Sequence, residues 1–156
     1  MCYILNMPKK IQKKYISKSI QDTEKIAKEL VSLCVFGKKD RATILGLYGE
    51  LGAGKTTLTQ NIAKALGVKE KVLSPTFVIM KIFDLKNPNF KKLIHIDAYR
   101  LEDSKELSVL GWNEIINDPT NLVLIEWPEK VADIMPPHTQ INLSHIDETS
   151  REIEIS

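Results

Sequence analysis

No apolar run in this chain of 156 residues approaches the roughly 20 residues needed to cross a bilayer, so no membrane contact is expected. The opening stretch Met1-Cys2-Tyr3-Ile4-Leu5-Asn6-Met7 has neither the long apolar core nor the small-residue cleavage site of a secretory signal, and a cytoplasmic location is the expectation. Cysteine is nearly absent. Cys2 and Cys34 show no metal-like spacing to each other or to His95, His138 and His145, which argues against zinc and a disulfide framework and leaves both as free thiols. A large excess of charge is missing too, since a net value of +2 does not mark a strong nucleic-acid binder. Lysines do gather at Lys9, Lys10, Lys13 and Lys14, and with Arg41 at Lys38 and Lys39. A solvated surface accounts for them, and a weak contact with RNA or an acidic partner is the sharper alternative. There is no internal repeat and no low-complexity linker. Hydrophobic residues make up 43% and charged residues 27%, the balance of an ordinary globule. A chain of this length buries about 68–70% of its unfolded surface as one domain. Residues 1–12 are expected to form a flexible tail and residues 13–156 the folded domain.

What is present is most specific at Gly49-Glu50-Leu51-Gly52-Ala53-Gly54-Lys55-Thr56, a full G-x-x-x-x-G-K-[ST] phosphate loop followed by Thr57. Its glycines let backbone N–H groups turn inward around phosphates, Lys55 reaches β/γ oxygens, and the Thr56 hydroxyl is placed to ligate Mg²⁺. The flanks agree. Ala42 to Tyr48 reads as a buried parallel strand, and Leu58, Ile62, Ala65 and Leu66 recur at helical spacing until Gly67. The loop therefore feeds a helix N-terminus, where unpaired N–H groups and the helix dipole favour an anion.

The remaining pattern alternates strand and helix. A strand over Lys13 to Lys18 precedes a capping signal, Ser19-Ile20-Gln21-Asp22, and a helix through Leu33 or Phe36. Strands are expected at Phe77 to Phe83, at Leu93-Ile94-His95-Ile96 and at Asn121 to Ile125, with short helices over Ser104 to Leu110 and Asn113 to Ile116. Gln140 to His145 and Arg151 to Ile155 suggest a closing hairpin. The fold expected is a single α/β phosphate-loop NTPase domain, with a central, mostly parallel sheet flanked by helices and a C-terminal antiparallel hairpin.

Two apolar strands finish in a carboxylate, Asp97 and Glu126. Ligands of open α/β sheets sit beyond the C-terminal strand ends, so both acids are expected near the cation. Mg²⁺ takes few protein oxygens and keeps several waters; Thr56 with one carboxylate suffices, and the other is left to orient water. Thr76, in Ser74-Pro75-Thr76-Phe77, falls where a switch threonine would approach a γ-phosphate, although a plain Ser-Pro turn fits as well. Arg100 either meets phosphate charge or pairs with Asp97, Glu102 or Asp103. No Asn-Lys-x-Asp guanine-reading sequence occurs, which favours ATP. Arginine is confined to Arg41, Arg100 and Arg151, too few for the cationic lid of a small-molecule kinase.

Four blocks, the phosphate loop with Thr57, Ser74-Pro75-Thr76-Phe77, His95-Ile96-Asp97-Ala98-Tyr99-Arg100-Leu101 and Ile125-Glu126-Trp127-Pro128, together closely resemble the bacterial TsaE family in order and spacing. The resemblance runs from about Ser19 to Arg151. It implies a small cytosolic ATPase required for threonylcarbamoyladenosine in tRNA, binding TsaB and TsaD partners and resetting their transferase complex through its ATP cycle, with tRNA met indirectly through that complex. By the same resemblance, residues Glu50 to Thr57 and Lys55 among them cradle phosphate, Thr56 and Glu126 ligate Mg²⁺, and Asp97 positions water or metal. Trp127 lies beside the site, Thr76 fills the switch-like position, and Ser19, Ile20 and Arg151 approach the nucleotide. Ser150 stands where the family commonly has Gly, and Ser19 where it commonly has an acid. Slow turnover alone and faster turnover with partners is the expectation; a small-molecule kinase and a nucleotide-gated scaffold with little turnover are the rival readings.

Overall fold

Strands β2 (Thr43–Tyr48) and β5 (Asn121–Glu126) are almost wholly apolar until their last residues and lie side by side in the middle of one sheet. A strand buried on both faces needs helices above and below, and the computed structural model supplies them. It describes residues 12–36, 39–75 and 77–156. The expected tail, apart from residue 12, and Thr76 lie outside the described residues, as do Lys9, Lys10 and Lys38 of the lysine clusters.

The remaining strands are β1 (Lys13–Ser17), β3 (Met80–Asp84), β4 (Lys92–Asp97), β6 (Thr139–His145) and β7 (Arg151–Ile155), and the sheet order is β1-β7-β6-β2-β5-β4-β3. The four central strands run parallel, whereas β1 on β7, β7 on β6 and β3 on β4 are antiparallel. The sheet is therefore mixed, not mostly parallel as the alternation suggested. Parallel neighbours need a long crossover, while β3 to β4 and β6 to β7 are joined by short returns that permit only antiparallel pairing.

Helices α1 (Ile20–Cys34) and α2 (Lys55–Ala65) cover one face, where Ile26, Leu30, Leu58 and Ile62 pack on Leu45, Leu47 and Leu124. The short helices α3 (Lys105–Val109) and α4 (Trp112–Asn117), with a 3₁₀ segment at Pro128–Ile134, cover the other through Leu107, Trp112 and Val131 on Ile94, Ile96, Val123 and Ile125. Alternate residues of each strand thus serve opposite cores. Helix α1 begins where its cap demands: the Ser19 hydroxyl accepts from Asp22 N–H at 3.1 Å, and the Asp22 carboxylate accepts from Lys18 N–H at 3.0 Å.

Strand β3 begins later than its sequence suggests. Pro75 C=O accepts from Val78 N–H at 3.0 Å and from Ile79 N–H at 2.6 Å, so Phe77 and Val78 turn before the chain extends at Met80. Among the described residues no ion pair joins Arg100 to Asp97, Glu102 or Asp103, and its guanidinium lies 4.5 Å from the Phe77 ring centroid. No helix among the described residues is long and apolar enough to cross a membrane.

Candidate active site

The loop of residues 49–56 leaves β2 at Tyr48 and enters α2 at Lys55. Gly49 has φ 143°, and a Cβ there would run into Leu143 C=O, so a side chain would collide with the backbone of β6. Gly54 caps α2 at φ 101° with no side chain bonded to the first helical amides. That end of α2 consequently offers its N–H groups to a ligand rather than to a cap.

Lys55 is 5% exposed. Its ammonium donates to Gly49 C=O at 2.5 Å and Glu50 C=O at 2.9 Å, and lies 3.9 Å from the Trp127 ring centroid. Burial pushes its pKa below the usual lysine range, with the carboxylates of Glu126, Glu129, Asp97 and Glu50 opposing the shift. In this state Lys55 is held by the walls of the loop.

The two acidic strand ends are neighbours, because the register of β4 and β5 sets Asp97 opposite Glu126. Glu126 is 2% exposed, and the Thr56 hydroxyl shares its proton between the two carboxylate oxygens at 3.0 and 3.2 Å. Asp97 is 5% exposed and accepts from the Ser74 hydroxyl at 2.7 Å and from Tyr99 N–H at 3.0 Å. Trp127, directly after Glu126, takes a left-handed conformation at φ 59°, and Ile79, whose C=O accepts from Asp97 N–H at 2.9 Å, does the same at φ 65°. Such conformations are disfavoured for bulky or β-branched residues, and both occur in segments that hold the acids. Tyr99 packs on Trp127 with ring centroids 5.0 Å apart.

Lys55, Thr56, Asp97, Tyr99, Glu126 and Trp127 line a cavity of about 390 Å³, bounded further by Leu51, Gly52, Gly54, Thr57 and Ser74. Ala53, within the loop, is buried; it is absent from this lining and lines a second cavity instead. That second cavity, also about 390 Å³, opens on the other side of the loop against α1 and the β6–β7 turn, and shares Gly52, Gly54 and Thr57 with the first. Ser19, Ile20 and Arg151 line this second cavity. Ser19 is occupied in capping α1, and the Arg151 guanidinium donates to C=O of Asp147 and Ser150 at 3.0 Å each.

Sequence reasoning missed His95. It is 0% exposed, and its Nε2 lies 2.8 Å from Glu126 Oε1. The signal was available: residues two apart on a strand share a face, and His95 precedes Asp97 by two.

Among the described residues, no three His, Cys, Asp or Glu side chains gather as a cation cage. Thr56 and the two carboxylates are instead hard oxygen donors at the mouth of a cavity. This sparse oxygen set fits Mg²⁺, which is held by one or two carboxylates and completed by phosphate and water.

Residues 17–153 match the family model described as threonylcarbamoyl adenosine biosynthesis protein TsaE. A Rickettsia felis protein named tRNA threonylcarbamoyladenosine biosynthesis protein TsaE is 37% identical over 134 residues, covering 85% of this chain and 75% of the relative. A Bacillus subtilis protein of the same name is 34% identical over 143 residues, covering 91% of this chain and 84% of the relative. The crystal structure of Bacillus subtilis YdiB superposes with a TM-score of 0.71 at 29% identity, over 93% of this chain and 84% of that one.

Proposed function

The chain belongs to the TsaE family, and from that membership together with the site we propose that it is an ATP-binding and ATP-hydrolysing subunit acting in threonylcarbamoyladenosine modification of tRNA. The observation that carries this reading is the Thr56 hydroxyl bonded to the Glu126 carboxylate beneath the uncapped N-terminus of α2, with Asp97 alongside.

Backbone N–H groups of residues 50–57 bind the phosphates, and Lys55 exchanges two loop carbonyls for β/γ oxygens of higher charge. Thr56 and Glu126 would hold Mg²⁺, which would supply positive charge against the triphosphate. Asp97 orients the attacking water; Ser74 and the Tyr99 amide keep its carboxylate facing the cavity wall shared with Glu126. Water oxygen bonds to the γ-phosphorus as the bond to the bridging oxygen breaks, and ADP leaves with that electron pair. The α1-facing cavity takes the nucleoside.

The isolated chain turns over slowly. Arg100 is stacked on Phe77, Arg151 faces the hairpin carbonyls, and Arg41 lines a cavity with Ala42 and Thr43 near the start of β2, so none supports the transferred phosphoryl. TsaB and TsaD homologues complete the site, and tRNA is met through that complex. Exposed Leu51, Leu73, Phe77 and Val78 on segments flanking the cavity are consistent with a partner surface there. Orthophosphate release from ATP, measured with and without the TsaB and TsaD homologues, tests the reading. Acceleration by the partners supports it; an unchanged rate removes the regulatory half, and phosphate appearing on an added metabolite points to a kinase.

A further inference from the structure

Strand pairing aligns His95 with Leu124 and Asp97 with Glu126, so His95 lies one pleat deeper in the sheet than the two acids. The imidazole is fully buried, and its hydrogen-bond partner is Glu126 Oε1 at 2.8 Å. Its other nitrogen, Nδ1, is also buried and has no hydrogen-bond partner among the described residues. A carboxylate can only accept, so Nε2 carries the proton in that contact. A proton at Nδ1 would leave a buried donor unpaired, which makes the neutral Nε2–H tautomer the one that fits.

We propose that His95 is a positioning residue for the cation-holding pair, fixing the rotation of the Glu126 carboxylate toward Thr56 and the cavity. The terminal torsion of a glutamate is soft and roughly two-fold, and Thr56 alone, sharing one proton between both oxygens, leaves that rotation open. A second donor, from a ring locked in the sheet, closes it. The proposal rests on the reading of Thr56 and Glu126 as the residues that hold Mg²⁺.

Mn²⁺ binding is the probe, followed by electron spin resonance on the full chain with a non-hydrolysable ATP analogue. His95→Leu keeps bulk and removes the donor, whereas His95→Gln restores an amide donor near the position of Nε2. Expected is a loss of Mn²⁺ affinity of about tenfold or more in His95→Leu, largely recovered in His95→Gln, with analogue affinity in the absence of metal unchanged. Equal losses in both variants, or none in either, overturn the proposal. Should His95→Leu fail to fold, ring ¹⁵N shifts of the nucleotide-free wild-type protein decide: an Nε2–H tautomer is expected, and an Nδ1–H tautomer rules the contact out as a donor. Thr56→Val and Glu126→Gln separate the two levels. If both retain full Mn²⁺ affinity the cation site itself is wrong, and if they lose it while His95→Leu does not, only the role of His95 falls.

Discussion

On one side of the phosphate loop the carboxylates of Asp97 and Glu126 are buried and already hydrogen-bonded, to Ser74 and to Thr56 and His95 respectively; on the other, Ser19 and Arg151 direct their polar atoms at neighbouring backbone. Both sides are hydrogen-bonded; the first presents buried carboxylates held in place by other side chains, so they lose little further freedom when a ligand arrives, whereas the second has its polar atoms committed to local backbone. Under the proposed function, binding and chemistry would depend mainly on phosphate and cation, with the α1-facing cavity contributing shape more than polar contacts.

The comparison breaks most visibly at Glu126. Glu126→Gln removes a charged oxygen and is expected to slow Mg²⁺-dependent hydrolysis on the order of 10²–10³-fold, read as orthophosphate release. Asp97→Asn is expected to lower turnover about 10²-fold while leaving ATP affinity near wild type in equilibrium binding; a matching fall in Mn²⁺ affinity would make Asp97 a cation ligand instead.

Lys55 gives a pH test on the same side. Its free-state pKa is lowered by burial, and triphosphate raises it, so binding takes up a proton in the window between the two values. ATP affinity is therefore full below the depressed free-state pKa and falls as pH rises through that window, by roughly tenfold per unit, a slope that Lys55→Arg should flatten. An affinity that rises with pH there would contradict the assignment.

Effects on the other side should be smaller. Ser19→Ala loses the cap of α1 and about 1 kcal/mol of stability by denaturant titration, with ATP affinity changed less than about threefold. Arg151→Ala should change ATP affinity least, because its guanidinium is bonded to the hairpin; a tenfold loss, about 1.4 kcal/mol, would mean that it turns to the ligand.

The same division marks what the sequence could reveal. The loop, its strand and its helix are contiguous, and local spacing was enough to read them. That Asp97 and Glu126 both lie at the C-terminal end of the sheet was legible from two apolar strands ending in acids, whereas their direct adjacency depends on β4 pairing with β5. The two-residue spacing of His95 and Asp97 marks them as sharing a face, but the bond between His95 and Glu126 spans 31 residues and its partner depends on which strands pair. Likewise the antiparallel edges are decided by return length, and the late start of β3 by two amides turning onto Pro75. Arg151 lines the α1-facing cavity, and the bonds holding its guanidinium depend on the conformation of the 146–150 turn, which its spacing in the sequence does not encode.

The central claim is that Thr56 and Glu126 act as one cation-holding unit. A double-mutant cycle on Mn²⁺ affinity with a bound ATP analogue, using Thr56→Val, Glu126→Gln and the combined variant, tests it most directly. The account predicts that the combined variant loses scarcely more affinity than Glu126→Gln alone; strictly additive losses, or single variants that bind Mn²⁺ as tightly as the wild type, would contradict it.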